Sequence, residues 1–193
     1  EPVSLDGKEF TRVSLPDATT RSLPGLPELP ILVHSLAAPF GVQVEIEVTP
    51  SLPHTYQLSQ PVLPGATQAS VLPLPGESED PGFTPEIVST YDMDPAVYDQ
   101  PGQYPGLFGE VSNDGVIREQ RVVGITLYPV QYEPTSGQLT VYESLHVEVS
   151  FKGTPIIAPK KASAESDAYE AFFDTSLLNY QESADWRLPA ESI

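Results

Sequence analysis

The chain has no cysteine, and that absence removes several classes of protein at once. Disulfide staples, thiolate metal sites and a cysteine nucleophile are all excluded from these 193 residues. Basic residues are scarce as well: nine Lys and Arg stand against 27 Asp and Glu, a formal charge of −18. Such a surface repels phosphate backbones and anionic membranes, so nucleic acid is not an expected partner. The deficit is deepest in one stretch, because no Lys or Arg lies between Arg21 and Arg118. Long apolar runs are missing too. None approaches the roughly 18 residues of a membrane-spanning helix, and no membrane insertion is expected. No basic and apolar signal segment precedes Glu1, so in an exported protein the numbering would begin after its signal.

What the chain holds in quantity is proline, 22 residues beside 13 glycines. Together they stay below the roughly 25–30% of a low-complexity chain, so a folded domain with many turns is expected. Its length suits one domain with a core large enough to need no staple. Period-two alternation announces strands. Val42, Val44, Ile46 and Val48 share one side while Gln43, Glu45 and Glu47 take the other. Leu139, Val141, Leu145, Val147, Val149 and Phe151 repeat the pattern, with only Glu143 breaking the apolar side. Val116 to Tyr132 is rich in β-branched residues and joins Gln138 through Glu133-Pro134-Thr135-Ser136-Gly137, a hairpin-length turn. A second hairpin is expected at Asn113-Asp114-Gly115.

Prolines at 24, 27, 30, 39, 50, 53, 61 and 64 cut the first half into pieces that suit short strands better than helices. One helix is expected late, capped by Ser163 with Glu165 and Asp167 in its first turn, carrying Tyr169, Phe172, Phe173, Leu177 and Tyr180 on one face. The architecture that follows is all-β: an antiparallel, jelly-roll-like β-sandwich over residues 1–158, then a linker and an amphipathic helical segment over 159–193.

A catalytic constellation is not legible. His34, His54 and His146 are too scattered to form a ligand pair, and no HExxH, GxSxG or phosphate-cradling glycine loop occurs. Asp92 and Asp94 lack the spacing of a calcium loop, so no metal and no cofactor is assigned. A binding or regulatory role is the default.

Several segments resemble one family in order. Pro129-Val130-Gln131-Tyr132-Glu133-Pro134 followed by Leu139-Thr140-Val141-Tyr142 is similar to the "P-[VL]-Q-Y-N-P … L-x-V-Y" signature in propeptides of gingipain-type cysteine peptidases. Gly25-Leu26-Pro27-Glu28-Leu29-Pro30 resembles that family's "G-x-P-x-L-P", Tyr104-Pro105-Gly106 its "F-P-G", and Asn179-Tyr180 its late "N-Y". The resemblance implies a non-catalytic β-sandwich prodomain of a secreted or cell-surface enzyme. Its partner would be a caspase-like cysteine peptidase domain that supplies the His and Cys, and whose folding it would assist and whose active site it would block until cleaved. A substrate-like loop between about residues 76 and 106 would do the blocking.

The best known family members insert a basic side chain, which this basic-free stretch cannot supply. Either the blocking segment lies elsewhere, or the partner does not select Arg or Lys; on the second reading an acidic side chain would be inserted, matched by Arg or Lys in the partner's pocket. In Tyr91-Asp92-Met93-Asp94-Pro95 the candidates are Asp94, with Asp92 and Met93 beside it, and Pro95 would hinder cutting of the bond before it. Phe83 is a further candidate for the inserted residue. Processing is expected after Asp185 or Arg187. The competing expectation is a non-catalytic β-sandwich binding module for carbohydrate or a protein ligand, with an exposed Trp186 or the tyrosines as stacking platform.

Overall fold

A computed structural model describes residues 1–71, 86–156 and 167–188. In chain order its elements are β1 (Pro2–Leu5), β2 (Lys8–Thr11), β3 (Thr19–Arg21), β4 (Leu29–Ala37), β5 (Phe40–Gln57), β6 (Thr67–Val71), β7 (Glu86–Thr90), α1 (Pro95–Tyr98), β8 (Gly109–Ile117), β9 (Gln120–Leu127), β10 (Val130–Glu133), β11 (Gln138–Ile156), α2 (Asp167–Ser176) and a 3₁₀ turn (Tyr180–Asp185). Two antiparallel sheets form the body. One has the order β3-β4-β9-β8, the other β10-β11-β5. β1-β2 and β6-β7 are separate two-stranded ribbons.

The alternation seen in the sequence is what lets the sheets face each other. Val44, Ile46 and Val48 of β5 and Leu145, Val147 and Phe151 of β11 turn one side toward Leu36, Val123, Ile125 and Leu127 of the opposite sheet. Each such side chain, when fully buried, stabilises the fold by about 1.5–3 kcal/mol. A second cluster of Val13, Leu29, Val62, Tyr98, Val130, Tyr132 and Leu139 fills the other end. The third, Ala37, Phe173 and Leu177, seats α2 on the outer side of β4.

Four local expectations are corrected. Asn113-Asp114-Gly115 is no hairpin. β8 runs through it with a bulge between Val111 and Asn113, and the chain reverses at Arg118-Glu119, where Arg118 takes the left-handed conformation (φ 55°). The Asn113 side chain lies over Gly124, where a Cβ would come within 1.8 Å of Asn113 Oδ1, and Asp114 pairs with Arg121 across the strands. These cross-strand uses outweigh the turn tendency of the tripeptide.

Val116 to Tyr132 is likewise two strands in two sheets, parted at Tyr128-Pro129. β5 continues through Pro50 and Pro53 instead of ending there, since it is the edge strand of its sheet and an edge tolerates missing donors. Finally, the late helix stops at Ser176. Leu177 leaves it to bridge Ser35, the chain resumes as the 3₁₀ turn, and Phe172 is 47% exposed, not on the buried face. Ser163 and Glu165 lie outside the described residues.

Candidate functional site

The segment from Tyr91 to Leu107 has little regular structure, yet it is pinned to the sandwich at successive points. At the first, the backbone N–H of Asp94 donates to Gly25 O at 3.0 Å. Gly25 has φ 77°, and a Cβ there would stand 3.3 Å from Asp94 Cβ, so the close approach depends on glycine. The Asp94 carboxylate accepts from the Ala96 N–H at 2.9 Å and caps α1, with Pro95 filling the first helical position where no donor is needed.

Gly25 is itself held by a zip between two proline-rich segments. Gly25 N donates to Gly65 O, Gly65 N to Leu26 O and Glu28 N to Leu63 O, at 2.8–2.9 Å. Proline's fixed φ presets both segments, so little conformational entropy remains to be lost there.

At the second point the Tyr98 hydroxyl donates to Val62 O at 2.7 Å, and its ring meets Tyr132 edge-on at 6.5 Å. Burial drives its pKa far above the usual tyrosine value. At the third, Tyr104 and Tyr132 exchange both backbone hydrogen bonds, 2.7 and 2.9 Å. The fourth uses Gln131, which is 1% exposed: its Nε2 donates to Leu107 O at 2.8 Å while its Oε1 accepts from Gly106 N at 2.9 Å. The P-V-Q-Y pattern is therefore scaffold. Its glutamine and tyrosine clamp Tyr104 to Leu107, a role invisible in sequence because the partners lie 24 and 25 residues away.

Below the clamp Tyr128 is buried and bonds to both Arg21 and Glu110. Burial first, and then its bond to Glu110, push its pKa up to about 12. Exposed along this frame are Asp92, Met93, Pro95 and Ala96 at its start and Asp99 to Gln103 further on. Met93 is 39% exposed, and Asp92 is open to solvent, its carboxylate 3.0 Å from Nζ of the half-exposed Lys8. An ion pair so exposed is worth little and leaves Asp92 available. Tyr98 and Tyr104 fold onto their own sandwich. Phe83 falls outside the described residues.

The other candidates lie at the far end of the chain. Asp185 ends the 3₁₀ turn. Arg187 forms a two-pronged ion pair with Glu170, 2.5 and 3.2 Å, and its guanidinium rests 5.2 Å from the centre of the Phe173 ring. Trp186 is not the exposed platform expected: it packs edge-on against Phe151 at 5.5 Å. Among the described residues no group of three His, Asp or Glu is placed to hold a metal ion, and no helix is long and apolar enough to cross a membrane.

The fold and the site together define a β-sandwich domain whose polar side chains fix a long loop. The sequence matches the family described as Propeptide_C25 over residues 1–183, and the chain belongs to that family. It is similar to Lys-gingipain of Porphyromonas gingivalis, 27% identical over 178 residues that cover 90% of this chain and 10% of that protein. Gingipain R1 of the same organism is 25% identical over 191 residues, 92% of this chain and 18% of that protein. The chain thus spans a small part of the curated relatives it matches.

Among solved structures, a chain from work on the zymogenic latency of gingipain K of P. gingivalis superposes with a TM-score of 0.60 at 25% identity, covering 79% of each chain. A chain in the complex of P. gingivalis RgpB pro- and mature domains gives 0.65 at 22% identity, covering 94% of this chain and 86% of that one. The latter likeness is one of fold.

Proposed function

We propose that this chain keeps a caspase-like cysteine peptidase domain inactive until it is removed by proteolysis, and assists the folding of that domain. In this reading residues 1–158 form the blocking body, residues 159–193 lead to the peptidase, and the whole protein is secreted or at the cell surface. Family membership and the latency described for gingipain K support the role.

The observation that carries it is the pinned segment. A blocking loop binds well only if its shape is set beforehand, because ordering free residues costs about 1–2 kcal/mol each. Here Gly25, Val62, Tyr132 and Gln131 set it. Asp94 gives the segment its turn, and Asp92 and Met93 are the side chains that reach outward toward the specificity pocket. An Asp92 in that pocket requires an Arg or Lys across from it.

The test is titration of the chain against the mature peptidase domain. Inhibition should be tight and one-to-one, and Asp92→Ala or Met93→Ala should weaken it about tenfold or more, as expected for a central contact. A peptidase that stays fully active in excess chain overturns the proposal.

A further inference from the structure

We propose that the open flank of the sandwich is a binding site for a small neutral aromatic molecule, a single ring carrying one hydroxyl or N–H group. The site lies between the two sheets, away from the pinned segment, and stands independently of any peptidase partner.

The two sheets do not fill the space between them evenly. β10 pairs only with Gln138 to Val141 of β11, and β3 only with Leu29 to Ile31 of β4. Past those points, among the described residues, both strands run on without a neighbouring strand on that side, and the sandwich is open there. The opening holds a cavity of about 180 Å³ walled by Leu36, Ile125, Leu127, Val147 and Val149. The β11 wall is made of valines where Leu145 and Phe151 stand further along the same face, and the shorter side chains leave the room. Leu178, 69% exposed, and Asn179 complete the lining.

One polar side chain in this lining is uncommitted. Period-two alternation puts His34 on the same face of β4 as Leu32 and Leu36, cross-strand from Ile125. It is half-buried, and its imidazole makes no hydrogen bond or ion pair among the described residues. The Asn179 amide, by contrast, is spent on Ala37. A neutral imidazole offers one donor and one acceptor, so His34 has a hydrogen bond to give to a polar atom placed in the cavity.

These features select the ligand. An apolar cavity of about 150 Å³ stays dry and takes up benzene, so a slightly larger one holds one ring with one small substituent. Drug-sized ligands need about 300–1,000 Å³. Water is poorly held, because it needs at least two polar partners. The apolar wall disfavours any ion, and a formal charge of −18 repels anions in particular.

Occupancy acts on the chain as well. Leu178 is joined to the edge of β4, its N–H donating to Ser35 O at 3.0 Å. Lifting Leu178 and Asn179 dismantles the site, so bound ligand holds them down by a factor of about 1 + [L]/Kd.

The experiment is a titration of the isotope-labelled 193-residue chain with phenol, followed by NMR, with benzene as the comparison. Phenol should bind saturably with a Kd at or below about 1 mM, and about tenfold more tightly than benzene. Nuclear Overhauser contacts should place its ring against the methyl groups of Val147 and Val149. His34→Leu should keep benzene binding and erase the preference for phenol, and Val149→Phe, which fills the cavity, should lose both ligands. At about ten times Kd the Leu178 N–H should exchange about tenfold more slowly. If Val149→Phe fails to fold, the ring contacts and the Leu178 exchange of the native chain decide the matter. Shifts that rise without saturating, ring contacts elsewhere on the chain, a phenol preference that survives His34→Leu, or unchanged Leu178 exchange each overturn the proposal.

Discussion

The side-chain amide of Asn179 pairs with Ala37 as a neighbouring strand would, Oδ1 accepting from its N–H at 2.8 Å and Nδ2 donating to its carbonyl at 3.0 Å. Ala37 ends β4 and is wholly buried, so neither group has water to turn to. Asn179→Ala leaves a buried donor and acceptor unmet and should cost about 2–3 kcal/mol, read from the urea midpoint at unchanged m-value. A loss below about 0.5 kcal/mol would show that the clamp is dispensable.

Asp94 offers a clean separation of two roles. As the cap of α1 it is replaceable by Asn, which accepts the same bond from Ala96 N. As a charge filling a basic pocket it is not. Asp94→Asn should keep both stability and inhibition, while Asp94→Ala should lose about 1 kcal/mol of stability in thermal unfolding. Loss of inhibition in Asp94→Asn with stability intact would move the pocket residue from Asp92 to Asp94.

Gln131 holds Gly106 and Leu107 without reaching the surface itself, being 1% exposed. Gln131→Ala should destabilise the fold by about 1–3 kcal/mol, because the N–H and carbonyl it served lose their partner. It should also weaken inhibition through a faster off-rate, since the loop would then order only on binding. Unchanged dissociation kinetics would argue that the 104–107 end plays no part in the complex.

Acid should act through Asp114. Two contacts to the Arg121 guanidinium, Nε at 2.9 Å and Nη2 at 2.5 Å, hold its carboxyl below the usual aspartate value. In the window between that lowered value and the unfolded one near 3.9, the unfolded chain binds more protons, so this contribution is present above about pH 4 and lost as pH falls. Asp114→Asn should flatten that part of the pH–stability curve. The cost at neutral pH should be under about 1 kcal/mol, because the carboxylate is half exposed and screened.

Alkali should act through buried phenols. Tyr128, raised to about 12, and Tyr98, raised further, stay protonated in the fold while the unfolded chain ionises near pH 10. The folded state then holds the extra protons, and stability falls as pH rises above about 10, by about 1.4 kcal/mol per unit for Tyr128 alone. Phenolate absorbance of the nine tyrosines should therefore rise in two steps, the second coinciding with unfolding. A single step near pH 10 with the fold intact would contradict this.

The strands with one face in the core were legible because alternation records burial directly, as in Val44, Ile46 and Val48. Asn113-Asp114-Gly115 misled because its side chains answer to Gly124 and Arg121 on the next strand, not to their own backbone. The helix end was hidden for a similar reason: Leu177 continues the helical spacing but is claimed by Ser35. For the candidate site, acidity and the Asp-Met-Asp-Pro pattern could be read. The use of Asp94 as a cap, and of Gln131 as a clamp, depends on contacts across chain distances that periodicity does not encode.

The longest pairing in the molecule joins β5, which starts at Phe40, to β11, which ends at Ile156. Neither strand has its main partner until most of the chain has been synthesised. Pairing of such distant segments is slow to form, and relative contact order of this kind places closure in the millisecond-to-second range. A nascent chain emerging from its N-terminus would thus stay threadable almost to the end of the sandwich, and the order of synthesis itself would delay the moment at which it acquires a shape.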